Sequence, residues 1–462
     1  MRLLLVAGLM SVASLAAAAP PYQRPAGAAV EAEPLITAGY RALFTCSAHF
    51  VAGRPLEDIL RIELVDVANP AYPAPVIDEV RKVVTATDPS GKIVRLAAWR
   101  DTMGCTIVPP HWSAGDVARL PYVSLPPAPD LANVPFPAGD KVDLPGNGLS
   151  PGHSALAPVL DAAFDGKSFG SEGTVTTGVI VLRGGRIVAE RYRPGFGVHS
   201  GYRTWSTAKS MTAVLLGIAQ GRGLLNVDGP ADIPEWSWPG DPRQAITYKH
   251  LLWMSSGLFS GGSNTNAIYF GGQDIVSAAT TTALEAEPGK RWKYANNDTL
   301  LLNRALRHRM QDDAAYLRFP YEALLHPLGM WHTRMEVDHL GNFIGSSQVY
   351  TTARDLARFG LMLAADGVWN GKRLVSEGWI RFLTTPAPSK PPKAGEWGYG
   401  GQFWLLDQMP GMPPGTYTTA GNKGQFVTVV PGHDLVVVRT GVDPEGRRFM
   451  PEQLVARILK VL

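Results

Sequence analysis

Cysteine is nearly absent. The chain of 462 residues has two, Cys46 and Cys105. Neither Cys-x-x-Cys nor His-Glu-x-x-His occurs, which argues against the common zinc sites and predicts a protein that needs no metal or other cofactor. Charge of one sign is also lacking. The formal net charge of +3 is scattered, and no basic stripe interleaves with aromatics, so nucleic acid is excluded as the expected partner. Beyond the first residues no apolar run is long enough to span a bilayer, which excludes stable membrane insertion. No internal repeat is found. What is present, 45% hydrophobic and 18% charged residues, fits a well-packed globule long enough for two or three domains.

The first 19 residues read as a signal peptide. Arg2 is a short basic region, residues 3–15 are apolar, and Ala17-Ala18-Ala19 before Pro20 offers a small-x-small cleavage site. No cysteine follows the apolar run, so a lipoprotein anchor is not expected. The mature protein is predicted to be periplasmic or secreted. In an oxidising compartment Cys46 and Cys105 are expected to form a disulfide, the alternative being two buried thiols.

Residues 20–106 read as a small N-terminal extension that starts with a Pro- and Ala-rich leader. A helix is predicted over 38–51, and strands over 81–86 and 92–99 around a turn at Asp88-Pro89-Ser90-Gly91. Residues 107–150 are dense in proline, a linker or a belt lying on another surface. A larger domain is expected over 151–462. It opens with a helix at 155–164 and a hairpin, 176–182 and 186–192, around Gly184-Gly185. Residues 225–385 are mostly helical. Strands return at 403–406, 424–430 and 435–440, and a helix closes the chain from Pro451. Strands at both ends with helices between predict an α+β fold whose antiparallel sheet is assembled from both termini.

The chemistry centres on Ser206-Thr207-Ala208-Lys209. Residues three apart share a helix face, so the Lys209 amine can reach the Ser206 hydroxyl. Met211, Val214, Leu215 and Ile218 form the apolar stripe of that helix. Ser206 at the helix N-terminus suits a developing oxyanion, and burial would favour the neutral amine that a base requires. Tyr294-Ala295-Asn296 supplies a phenol that can carry a proton to a leaving group, and an amide that can orient Lys209 or bind substrate. Ala420-Gly421-Asn422-Lys423-Gly424-Gln425 opens a late strand. Its glycines permit close approach, and the backbone N–H groups of Ser206 and Asn422 are candidates for an oxyanion hole.

These three segments, in this order, resemble the serine β-lactamase-like hydrolases with a β-lactamase/transpeptidase-like fold. The similarity is greatest to the class C β-lactamase-related branch, which includes esterases, D-aminopeptidases and 6-aminohexanoate-dimer hydrolases. Glu287-Pro288-Gly289 and the run Tyr350-Thr351-Thr352-Ala353-Arg354-Asp355 match as well. The resemblance spans residues 155–460. It implies that Ser206 is acylated, that Lys209 and Tyr294 move protons, and that water releases the acyl group. β-Lactamases and penicillin-binding enzymes carry Lys-Thr-Gly at the third segment, where the lysine, or a histidine in its place, helps bind the substrate carboxylate. Thr419-Ala420-Gly421 has no cation there, which points to ester or amide substrates. Lys423, at the strand parity of Gly421, could partly substitute.

Three rivals are weighed. β-Lactamase, D-aminopeptidase or penicillin-binding activity is the near alternative. A non-catalytic cell-wall-binding protein that kept the pocket is the distant one. A Ser-His-Asp enzyme would use Gly166-Lys167-Ser168-Phe169-Gly170, but that serine elbow needs a strand before it, and a helix is predicted there. His199 reads as a loop residue near the cleft. Trp205, Trp292, Tyr399 and Trp404 are candidates to shape the pocket.

Overall fold

Strict alternation builds the central sheet. In β5 (Thr176–Arg183), Val179 and Val181 face one side and Ile180 and Leu182 the other, and all four are fully buried. A strand covered on both faces reads as a continuous apolar run. The computed structural model describes residues 34–260 and 268–462. The expected signal peptide and most of the Pro-Ala leader lie outside the described residues.

The first sheet is antiparallel, β1 (Val76–Asp78), β2 (Val83–Thr87), β3 (Val94–Arg100) and β4 (Gly104–Ile107), in sequence order. Helix Pro34–Cys46 packs on it, starting earlier and ending earlier than the sequence predicts, with a wider turn at Ser47–Val51. Its last residue, Cys46, is disulfide-bonded to Cys105 of β4, with a Cα–Cα distance of 6.0 Å.

In the second sheet, β5 pairs with β6 (Arg186–Tyr192) as the expected hairpin. A small three-stranded sheet joins β7 (Tyr202–Arg203), β8 (Arg334–Met335) and β9 (Val349–Thr351), and β10 (Val368–Trp369) pairs with β11 (Lys372–Arg373). The C-terminal part then adds β12 (Gly398–Tyr399), β13 (Trp404–Leu405), β14 (Tyr417–Gly421), β15 (Gln425–Val430) and β16 (Leu435–Gly441). The order β12-β13-β14-β15-β16-β5-β6 is one antiparallel sheet made from both ends of the domain, as predicted. Helices Ala157–Phe164 and Pro451–Leu459 cover one face. Helices Thr207–Gly221 and Ala353–Ala364 cover the other. Gly360 lets the latter sit tightly, since a Cβ there would lie 2.5 Å from a Val436 methyl.

The Pro-rich stretch is a belt rather than a free linker. Arg358, buried in helix Ala353–Ala364, donates to the carbonyls of Pro137 (2.9 Å) and Gly139 (2.6 Å) and pairs with Asp140 at 2.7 Å. No helix among the described residues is long and apolar enough to cross a membrane.

Candidate active site

The nucleophile turn begins where β7 ends. The Thr204 N–H donates to the Val349 carbonyl at 2.8 Å. Trp205 then takes a positive φ of 50°. That conformation costs a non-glycine residue about 1–3 kcal/mol and persists only where its surroundings enforce it. Here the Arg203 guanidinium lies 4.6 Å from the Trp205 ring centroid, and the Phe44 ring packs on the other rim at 5.6 Å. The reversal drops Ser206 at the head of helix Thr207–Gly221, with Lys209 one turn in and 1% exposed.

The Lys209 nitrogen lies 3.2 Å from Ser206 Oγ, 2.6 Å from Asn296 Oδ1 and 2.6 Å from the Ser346 carbonyl. Two of these partners can only accept. A neutral amine has two N–H bonds and one lone pair. With both N–H bonds given to Asn296 and Ser346, the lone pair is directed at the Ser206 hydroxyl. Burial lowers the Lys209 pKa to about 7, so the neutral form is accessible near neutrality.

Tyr294 approaches from the loop before helix Asn296–Met310. Its phenol hydrogen-bonds Ser206, and its ring lies 5.1 Å from Lys209 Nζ. Burial pushes the phenol well above its usual pKa, with the Ser206 bond a smaller opposing effect. Tyr294 is therefore held as a proton donor, not a phenolate. The half-buried ring stacks on Trp404 (5.5 Å, 26°) and meets Tyr399 edge-on at 6.0 Å. Trp292 packs edge-on to Tyr399 at 5.5 Å. Two of the four pocket aromatics named from sequence, Tyr399 and Trp404, thus pack on the Tyr294 ring, and a third, Trp292, packs on both of them.

Strand β14 closes the site. Thr419 and Thr207 share a hydroxyl hydrogen bond at 3.1 Å, which ties the strand to the nucleophile helix. A Cβ on Gly421 would lie 2.1 Å from the Thr204 carbonyl oxygen, so only glycine fits. Asn422 is exposed in the turn that follows. The backbone N–H groups of Ser206 and Asn422 donate to no carbonyl among the described residues. Lys423 departs from expectation. It lies in that turn, not in a strand, with φ at 57°, and it is buried in an ion pair with Asp66 of the N-terminal segment. Strand parity does not apply to it.

The rival serine and histidine are elsewhere. Ser168 is in an exposed loop and donates to Asp165 at 2.5 Å. His199 is exposed, its ring 5.1 Å from that of His332, and lines a cavity of about 140 Å³ with Phe50 and Trp99. Sequence reasoning missed Ser346 and Tyr269, whose hydroxyls share a 2.6 Å hydrogen bond that steadies the loop carrying the Lys209 acceptor. A backbone carbonyl leaves no mark in a sequence, so only the fold could find it. Among the described residues no cluster of His, Cys, Asp and Glu is arranged to hold a metal.

Known proteins resemble this chain in sequence and in fold. The chain is 24% identical over 323 residues to a 6-aminohexanoate-dimer hydrolase from Paenarthrobacter ureafaciens, covering 60% of this chain and 76% of that one. A family VIII carboxylesterase is similar in structure, with a TM-score of 0.54, 15% identity and coverage of 68% of this chain and 98% of that one. So is a D-stereospecific amidohydrolase from Streptomyces, at 0.50, 17%, 66% and 98%. These two likenesses show the fold. The profile of the Beta-lactamase family matches residues 160–455, most of the chain and every residue of the Ser206–Lys209–Tyr294 cluster, and the chain belongs to that family.

Proposed function

We propose that the protein is an exported serine hydrolase that cleaves ester or amide bonds through an acyl-enzyme on Ser206. The observation that carries this is the buried Lys209 nitrogen 3.2 Å from the Ser206 hydroxyl, with two oxygens that can only accept, Asn296 Oδ1 and the Ser346 carbonyl, each 2.6 Å away. Lys209 takes the Ser206 proton as Oγ attacks the carbonyl carbon. The oxyanion is received by the N–H groups of Ser206 and Asn422, which are otherwise unused by carbonyls of the described residues. Tyr294 gives its proton to the leaving oxygen or nitrogen and recovers one from the Lys209 ammonium. Water, deprotonated by the same pair, then attacks the acyl carbon, and Ser206 Oγ leaves and takes that proton back as the acid is released. Asn296 is a positioning residue for Lys209, and Gly421 provides the close approach of β14.

Ester or amide substrates are favoured over β-lactams by the third segment, where Thr419-Ala420-Gly421 carries no cation. The names of the similar proteins, a dimer hydrolase, a carboxylesterase and an amidohydrolase, fit the same bond classes. Export is supported by the Cys46–Cys105 disulfide. The testing experiment is a hydrolysis screen of p-nitrophenyl esters, linear amide oligomers, D-amino acid amides and a chromogenic cephalosporin, with Ser206→Ala as blank. A fluorophosphonate adduct on Ser206 is expected. Absence of both adduct and turnover would favour the binding protein instead.

A further inference from the structure

One residue that the mechanism does not use joins the segments that it does. Gln402 lies in the turn between β12 and β13 and is buried. Its φ is 64°, a left-handed conformation that a non-glycine residue keeps only where its surroundings enforce it. Here every polar atom of the residue is hydrogen-bonded. The N–H donates to the Leu252 carbonyl at 3.0 Å, and the Gln402 carbonyl accepts from Ser210 Oγ at 2.6 Å. Oε1 accepts from Thr299 Oγ1 at 2.8 Å, and Nε2 donates to the carbonyls of Leu251 and Leu252, both at 3.0 Å. The two carbonyls can only accept, which fixes the orientation of the side-chain amide.

The partners sit on three segments, and each leads to a member of the site. Ser210 follows Lys209 in helix Thr207–Gly221. Thr299 stands one turn after Asn296, on the same face of helix Asn296–Met310. Leu251 and Leu252 end helix Tyr248–Leu252, and Met254 comes two residues later. The Met254 carbonyl accepts from the Lys293 N–H at 2.9 Å, and its Sδ accepts from the Ala295 N–H at 3.3 Å, so the backbone is held on both sides of Tyr294. The hydrogen bonds of Gln402 thus go to the carriers of Lys209, Asn296 and Tyr294, not to the reacting atoms.

We propose that Gln402 is a positioning residue: it holds the nucleophile helix, the Asn296 helix and the Tyr294 loop in one register, so that Asn296 Oδ1 meets the Lys209 nitrogen at 2.6 Å. The proposal rests on the hydrolase reading and adds the part that keeps its base in line. Lys209 and Asn296 come from helices far apart in the chain, and a single contact between two long side chains does not fix the distance between those helices. The Ser210–Gln402–Thr299 bridge, beside that contact, does. Displacement of about an ångström at such a site costs about 100-fold in rate.

The test is a double-mutant cycle in the full chain on p-nitrophenyl butyrate. Gln402→Met removes all the side-chain bonds at once and should lower kcat about 100-fold. Thr299→Val, nearly isosteric, removes one bond and keeps the test open if Gln402→Met does not fold. It should lower kcat about tenfold or more and leave KM within about twofold. Thr299→Ser keeps the hydroxyl and should stay within about threefold of the native rate. In an Asn296→Ala background, Thr299→Val should cost less than about twofold, because the contact it positions is already gone. Equal losses in the two backgrounds would mean a general loosening of the fold and overturn the proposal. So would a loss carried by KM, or one that Thr299→Ser shares. Failure of the native enzyme on every ester would instead sink the hydrolase reading. The role of Gln402 is then read from a crystal structure of Thr299→Val, in which Lys209 Nζ should lie beyond hydrogen-bond reach of Asn296 Oδ1. A separation kept at 2.6 Å refutes the proposal.

Discussion

The Lys209 nitrogen lies 3.2 Å from the Ser206 hydroxyl, and among the described residues no carboxylate forms an ion pair with it. Most buried lysines are neutralised by a partner; this one has no carboxylate beside it, and burial brings loss of its proton down to near neutrality. Its pKa near 7 sets the pH profile. The working base is the neutral amine, so kcat/KM should rise with pH through about 7 and level off above it. Steady-state rates between pH 5 and 9 on a neutral ester check this. Lys209→Ala should cost about 10³-fold or more and remove the rising limb. A variant that keeps near-native rates would show that another group is the base.

Tyr294→Phe separates proton donation from packing. The ring keeps its stacking on Trp404 and its contact with Tyr399. Stability should stay within about 1 kcal/mol, read as a shift in Tm. Turnover should fall about 10²–10⁴-fold on amides, whose nitrogen must be protonated to leave, and less on p-nitrophenyl esters, whose phenolate leaves unaided. Equal losses on both would mean that the phenol acts elsewhere in the cycle.

Much of this site was legible in the sequence, for physical reasons that also mark where legibility stops. Ser206 and Lys209 are one helical turn apart, so their meeting is local. Tyr294 and Asn296 flank the start of a helix and are distant in sequence, so their place followed from family resemblance rather than spacing. Strand β14 is not legible as a strand, because its last residues, Ala420-Gly421, read as the opening of the strand that follows. It is rich in threonine, and its buried hydroxyls are satisfied by one another, as in Thr418 with Thr428 at 3.0 Å and Thr419 with Thr207 at 3.1 Å. A polar strand of that kind has no hydropathy alternation to read. The Asp66–Lys423 pair joins two ends of the chain and has no local signal at all. The disulfide, by contrast, followed from having two cysteines and one compartment.

Gly421→Ala should damage the site through the backbone. The added methyl would meet the Thr204 carbonyl oxygen at 2.1 Å, and that carbonyl belongs to the turn that aims Ser206. The strand or the turn must move. A stability loss of about 1–3 kcal/mol is expected. Ester turnover should fall far more than that loss explains, because an ångström of displacement at a nucleophile is costly. Denaturant melts and kcat on the same preparation check both halves. Retained turnover would show that β14 and the nucleophile turn are less tightly coupled than their contact implies.

Glu336, which follows β8, couples the N-terminal segment to the small three-stranded sheet and should make the fold sensitive to pH. Its Oε1 accepts from Ser47 Oγ at 2.7 Å and from the N–H of Cys105 at 3.0 Å, while Oε2 is buried without a partner among the described residues. Burial raises its pKa from 4.5 to about 7, against the smaller opposing effect of those two hydrogen bonds. A folded pKa above the unfolded one means that the folded state binds the proton more tightly. The contribution is therefore complete below about pH 4.5 and is lost as pH rises through 7, amounting to no more than about 3 kcal/mol. Asp298, buried against Ser256 at 2.7 Å and also raised to about 7, acts in the same direction. Glu336→Gln keeps an acceptor for Ser47 and Cys105 and removes the titration. It should flatten the fall in stability between pH 5 and 8 and leave the variant more stable than the native chain at pH 8. Urea melts across that range decide it, and an unaltered slope would assign the pH dependence to Asp298 or to other groups.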